Sequence, residues 1–503
     1  MKSNLMRALL LLLALILCLG TVACATPNDD EPGENPDEDV QGDDTTDGEE
    51  EEEPRVLPDV PSDMIDFELN VLHYTVDGSH ENWVPWDEIC PQEGIDSHIG
   101  DLIADDIFDR AAWIEENYGV TLTCTYLGHD KLPTTVSSLI GSGSDEYHLV
   151  DDFGYAAQKL FGKNYFLNLA EVDYIDFEKP WWVDSSIEEL SLGDYVEFAA
   201  SDMLILDKGA TTMIFYNIPM ANDLGITGIY DDVRDNEWTL ETLAEYAELA
   251  LQETGNDVLD ENDIYGFISG DDPVIGFYIG AGMHLIDFDG SEFYYQYGSD
   301  ESTFDVMITI LDEIMYQDFY WNGWLTRNDV ASENQPNFKE DKGLFTFGMA
   351  KGCNSMRDME SAYGILPIPM YDNTQDSYYS QVSNYHDSLI AIPMTVKDAD
   401  VSKIGAILEL LSYYSYYEVY PDFYDVVIQG RGTRDAESKE MLEICFSNRT
   451  YDLGLVYDPN GFSDKVLRFT HTGGTDIASF MGEWRERLNT SIDDLNDLAS
   501  TYW

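Results

Sequence analysis

The apolar and polar positions of the chain fall into two alternating periods. "FELNVLHY" (Phe67–Tyr74) and "VTLTCTYL" (Val120–Leu127) read as strands, and "YHLVDDFG" (Tyr147–Gly154) as a third strand running into a loop. Between the first two, "IADDIFDRAAWIEENYG" places Ile103, Ile107, Ala111 and Ile114 on one helical face and stops at Gly119. "LPTTVSSLIGSG" predicts a second helix closed by glycine, and "YAAQKLFG" a third. Strands spaced by helices predict βαβ units and a parallel sheet. Ligands of such sheets bind outside the carboxyl ends of the strands. That side holds Trp83 and Trp86, after the first strand, and Asp151 and Asp152, at the end of the third.

A second unit begins near Trp238. Thr239 is the expected N-cap of a helix, with Trp238 and Leu243 at the positions of a hydrophobic staple. Leu240, Leu243, Ala244, Ala247 and Leu251 form its apolar stripe, and Gly255 is its expected stop. "SKIGAILELLSYYSYYEVYP" predicts a later helix with Ile404, Ile407, Leu408 and Leu411 in register, and Ile477 to Tyr502 a last one.

The longest apolar run is at the start. Lys2 and Arg7 precede an uncharged stretch from Ala8 to Leu19, too short to span a bilayer and of signal-peptide length. Val22-Ala23-Cys24 resembles a bacterial lipobox, in which the cysteine is diacylated, although Thr21 stands where leucine is usual. The alternative is an ordinary secretory signal cut near Ala23 or Ala25; both export the protein. From Asp29 to Glu53 there is no Lys or Arg, and the tract ends in Glu49 to Glu53. It cannot bury enough surface to offset its ordering entropy, and its like charges extend it. The expected divisions are a signal peptide (1–23), a lipidated Cys24 with an acidic tether (24–61), and a body (62–503).

Composition narrows the function. The 503 residues carry a formal net charge of -74, which disfavours nucleic acid and anionic lipid surfaces. Cys90, Cys124, Cys353 and Cys445 show no CxxC spacing, so no metal or redox motif follows. Cys124 lies in a strand pattern that suits a buried thiol, and a disulfide stays open. "GNDVLDENDIYGF" lacks the Gly and Glu of an EF-hand loop, so Asp257, Asp260 and Asp263 are read as a solvated acidic turn and no metal is assigned. Aromatic residues make up 13% of the chain. Their flat apolar faces suit protein cores and sugar rings alike.

Five segments then occur in order: "KPWWVDSSIEELSLGDYVEFAASDM", "TTMIFYNIPMANDLGI", "DENDIYGF", "YGILPIPMYDNTQDSYYS" and "VYPDFYDVVIQGRGTRDAESKEMLEI". As an ordered set they resemble the extracellular solute-binding proteins of family 1, the sugar-type lipoproteins of ABC importers, over roughly residues 65–500. The resemblance implies an α/β, two-lobed periplasmic-binding-protein-like fold with a hinge and an interlobe cleft. It places the first lobe at about 62–175 plus a later return, the second mostly at 220–370, and helices at about 400–503. It implies a monomer on the extracellular face of the membrane, held by its lipid and partnered by permease subunits. No cofactor and no catalysis are expected.

The candidate ligand-binding residues are Trp181, Trp182, Asp152, Trp83, Trp86, Tyr216 and Asn217. One of the adjacent tryptophans is expected to stack on ligand while the other packs. Tyr216 and Asn217 fall where the resemblance puts a strand crossing between lobes. Asp152 could accept from sugar hydroxyls or cap the following helix. Two other classes stay open. One is a secreted glycan hydrolase, which needs a carboxylate pair across a cleft. The other is a receptor presenting ligand to a membrane sensor.

Overall fold

A computed structural model describes residues 55–61, 64, 66–75, 88–90, 102–255, 258–323, 334–357, 359–428, 436–458 and 461–502. Cys24, Trp83, Trp86 and Asp257, together with the expected signal and most of the tether, lie outside the described residues. Residues Leu57–Trp503 form one compact unit. In chain order its strands are β1 (Phe67–Thr75), β2 (Val120–Gly128), β3 (Leu149–Asp152), β4 (Thr212–Asn217), β5 (Tyr265–Ser269), β6 (Ile286–Phe288), β7 (Phe293–Tyr295), β8 (Tyr320–Asn322), β9 (Gly343–Met349), β10 (Tyr363–Leu366), β11 (Ser380–Gln381), β12 (Leu389–Ala391) and β13 (Arg449–Thr450).

The first sheet has the order β12-β3-β1-β2. β1 pairs in parallel with both β2 and β3, while the returning β12 runs antiparallel to β3. The helices Leu102–Tyr118 and Leu132–Ser142 make the two crossovers that parallel pairing requires. The first buries Ile103, Ile107 and Ile114, and with them Arg110, which the apolar pattern did not single out. Its guanidinium donates to the carbonyl oxygens of Met203 (3.1 Å), Glu88 and Ile89 and to Ser415 Oγ (2.6 Å), so acceptors engage both terminal nitrogens of the buried cation, while Nε has no hydrogen-bond partner. Gly143 closes the second helix at φ 68°, the left-handed cap a side chain would strain.

The second sheet has the order β10-β4-β9-β5-β8. β9, β5 and β8 are mutually parallel, and β4 runs against β9 and β10. On this sheet lies the helix Leu240–Ala250, capped by Thr239 Oγ1, which accepts from Thr242 N at 3.3 Å. Trp238 is fully buried and its indole donates to Pro367 O at 2.9 Å. The helix stops at Ala250 rather than at Gly255, because Gln252 already bridges Ile264 as extended backbone.

Two segments run between the sheets. Ala199 bridges Ile390 beside the first sheet, and Thr211 bridges Val382 where β4 begins. Val382 N also donates to Thr450 O at 2.9 Å, which brings β13 to the same junction. Cys90 and Cys124 form a disulfide, resolving the open cysteine question, while Cys353 and Cys445 are free and buried. Among the described residues no helix is long and apolar enough to cross a membrane.

Candidate functional site

Strand direction decides where a ligand can be met. β3 ends at Asp152 and leads into Phe153-Gly154-Tyr155. β12 begins at that same edge, because Leu389 pairs with Asp152. In the second sheet β5, β8 and β9 end side by side, leading to Asp271, Asn322 and Lys351. β4 starts at that edge, since Thr212 pairs with Met349. The segment Ser383–Ser388 therefore joins the carboxyl-end edge of one sheet to that of the other.

Its side chains meet groups from both. Gly154 N donates to Asp387 Oδ1 at 2.8 Å, and Tyr155 N to Asn384 O at 2.8 Å. The rings of Tyr155 and Tyr385 stack at 4.6 Å, and both are half-buried. Tyr385 OH donates to Asp464 Oδ1 at 2.8 Å, at the start of the helix Phe462–His471. At the other end of that helix His471 Nδ1 lies 3.0 Å from Asp271 Oδ2, and Asn322 Nδ2 donates to Asp271 Oδ1 at 2.7 Å. Lys351 Nζ lies 2.8 Å from His386 Nδ1. Burial pulls the Lys351 ammonium down to about 7, against the pull of Asp387, and pushes the Asp387 carboxyl up to about 7. The result is a pair of partly exposed phenol rings flanked by carboxylates, an amide, an amine and imidazoles. Such a surface can stack on an apolar ring face and exchange hydrogen bonds with hydroxyls around it.

The sequence-derived candidates divide. Asp152 is on the correct edge but fully buried; Oδ1 accepts from its own neighbour Phe153 N at 3.1 Å, and Oδ2 has no partner. The short helix after it is instead served by Asp387. Trp181 and Trp182 are both 3% exposed and both donate to Glu409: Trp181 Nε1 to Oε2 at 2.8 Å, Trp182 Nε1 to Oε1 at 2.7 Å. Asp176 N adds a third donor at 2.8 Å. Neither indole offers an open face here; one contacts Tyr413 and Tyr416, the other Phe177. Tyr216 and Asn217 end β4 and so lie at the edge of the second sheet away from this junction. Asn217 caps the helix Ile218–Asp223, accepting from Met220 N at 3.0 Å and donating to Asp341 Oδ1 at 2.6 Å. In the acidic turn, Asp263 accepts from Thr254 N, Thr254 Oγ1 and Asp260 N, each at 2.7 Å.

The sequence reading did not single out Tyr155, Tyr385, His386, Lys351 or Asp464, which the structure brings to this junction. One signal for Tyr155 was present: it follows a strand and a glycine at the ligand side of a parallel sheet. Nothing local distinguishes "SNYHDS" (383–388) from any other polar loop.

No family model and no curated protein sequence matches the chain. Solved structures do match its fold. An ABC substrate-binding protein of Listeria monocytogenes, in complex with cycloalternan, is 10% identical, with a TM-score of 0.51 over 86% of this chain and 98% of its own. A sugar transporter of Rhizobium etli in an open conformation is 14% identical, with a TM-score of 0.52 over 86% and 99%. A family 1 extracellular solute-binding protein of Bifidobacterium longum subsp. infantis is 10% identical, with a TM-score of 0.50 over 87% and 100%. The chain thus has the two-lobed α/β fold of these solute-binding proteins, as the ordered segments imply.

Proposed function

We propose that the chain is an extracellular receptor that captures a carbohydrate, a neutral or weakly polar oligosaccharide, and hands it to an ABC importer. The observation that carries this reading is the Tyr155–Tyr385 stack, half-buried where the carboxyl ends of both sheets meet and hydrogen-bonded to Asp464. The fold supports it, because structures sharing that fold include a substrate-binding protein holding cycloalternan and a sugar transporter. A net charge of -74 disfavours anionic solutes, although screening confines that effect to about 8 Å at physiological salt. The chain is read as a binder and not a catalyst. Its anchor is read as a diacylated Cys24, on the strength of Val22-Ala23-Cys24 and the acidic tract after it.

A thermal-shift screen against linear and cyclic glucans and other oligosaccharides tests the ligand class. A ligand at a hundred times its dissociation constant adds about 2.7 kcal/mol of stability. A panel in which no sugar shifts the melting temperature would sink the reading. So would steady release of glycan products, which would restore the hydrolase alternative. Mass spectrometry of the membrane fraction tests the anchor: an unacylated N-terminus at Ala25 removes it.

A further inference from the structure

Beside the tyrosine junction, β1 and β3 bring together with Glu88 a second polar group. His73, Glu88 and Asp151 are all buried, and one ligand atom from each lies within 4.8 Å of the others. His73 Nδ1 is 2.6 Å from the Tyr74 carbonyl oxygen. A carbonyl only accepts, so Nδ1 carries the hydrogen and Nε2 presents its lone pair. Burial disfavours the doubly protonated ring. That lone pair faces Asp151 Oδ2 at 3.0 Å. Beyond this contact, His73 Nε2 and both Asp151 oxygens have no hydrogen-bond partner. Two lone-pair donors held this close in a buried place need either a proton or a metal cation between them.

We propose that His73, Glu88 and Asp151 form a divalent-cation site of the zinc or manganese class. A cation about 2.1 Å from each of two adjacent ligands leaves those ligands about 3.0–3.4 Å apart, and the His73–Asp151 distance of 3.0 Å meets that spacing. One imidazole nitrogen with two carboxylates suits zinc or manganese, whereas calcium and magnesium sites are built from oxygen. The outer contacts are those a ligand set requires. The Nδ1–H bond to Tyr74 O fixes the tautomer that leaves Nε2 open. Glu88 Oε2 accepts from Leu206 N at 2.8 Å, and Oε1 accepts from the Ser388 hydroxyl. Each oxygen keeps a second lone pair. The Asp152 and Asp387 carboxyls lie close enough to Asp151 to act on it electrostatically. Leu206 and Ser388 belong to the two segments that cross between the sheets, so an ion here would tie the β1–β3 edge to both.

The test uses the intact chain, stripped with a chelator and then given zinc or manganese chloride, both after folding and during refolding. So acidic a surface binds cations weakly everywhere, so the titration is run in millimolar calcium and magnesium. The expected result is one tight equivalent by calorimetry, a raised melting temperature, and at least tenfold weaker binding in both Asp151→Asn and His73→Gln. Crystals soaked in zinc should show an anomalous peak between the three side chains, a measurement that survives a variant failing to fold. No tight equivalent in the wild-type chain would mean that a proton bridges His73 and Asp151, and overturns the proposal. An anomalous peak elsewhere, or a tight equivalent unchanged in both variants, overturns it equally.

Discussion

Two aromatic pairs in this molecule carry the same kind of partner and come to opposite ends. Trp181 and Trp182 direct both indole N–H groups at Glu409 in the interior. Tyr155 and Tyr385 stack at the meeting edge of the two sheets, with one hydroxyl on Asp464. An indole N–H can only donate, so burying two of them demands an acceptor from elsewhere in the chain, and Glu409 meets that demand. A phenol both donates and accepts, and it tolerates a half-wet place. Aromatic content alone therefore says little about ligand. Position relative to the carboxyl ends of the strands separates the Trp181–Trp182 cluster from the candidate site.

The sharpest way to break this contrast is to remove the acceptor. Glu409→Ala leaves two buried indole donors unsatisfied, each worth about 1–3 kcal/mol, and frees the part-buried Asp176 N. A total loss of about 3–5 kcal/mol is expected in a denaturant melt. Trp181→Ala and Trp182→Ala empty buried volume and should each cost about 3–5 kcal/mol. In all three variants the fraction that stays folded should bind sugar as the wild type does. If either tryptophan variant loses sugar binding while melting like the wild type, the stacking face is there and the comparison inverts.

Next in size is the effect on affinity. Tyr385→Ala and Tyr155→Ala should each weaken sugar binding about 10- to 100-fold, the loss typical of an aromatic anchor, with a small change in melting temperature. Tyr385→Phe keeps the ring and deletes the hydrogen bond to Asp464, so about a fivefold loss is expected. Calorimetry against the sugar found in the screen measures all three. Equal affinities across the set would remove the stack from the site.

How far the sequence reached follows from what each feature depends on. The first three strands, their crossover helices and the glycine stops at Gly119 and Gly143 depend on neighbours a few residues away, and the structure has them. So does the Trp238–Thr239 helix start. The two tryptophans depend on Glu409, more than 220 residues further along the chain, and no local pattern marks that partner. Tyr216 and Asn217 do end a strand, but β4 lies within the second sheet, where it runs against β9 and β10, instead of crossing between lobes. Side-chain alternation is the same in either direction, so it cannot say which edge a strand's last residue reaches. Tyr385 lies between segments whose pairing is set only when both sheets exist.

The smallest expected effect extends the comparison from aromatic pairs to the carboxylates themselves. Glu409 has three donors, whereas buried Glu197 has one: Gly162 N reaches Oε2 at 2.7 Å and Oε1 has none. Desolvation dominates there and pushes the Glu197 carboxyl from its ordinary 4.5 up to about 7. A carboxyl whose pKa is raised on folding makes the native state hold more protons than the unfolded one. Stability then falls as pH rises from about 4.5 through about 7, by at most about 1.4 kcal/mol per pH unit for this one group. Glu197→Gln removes the titration and keeps an oxygen for Gly162 N. The variant should therefore match the wild type near pH 4 and exceed it by roughly 1 kcal/mol or more at pH 7. Parallel pH profiles for the two proteins would mean that Glu197 ionises freely where it lies. A single backbone donor would then suffice to hold a buried carboxylate, and the three donors around Glu409 would answer the needs of the indoles rather than those of the charge.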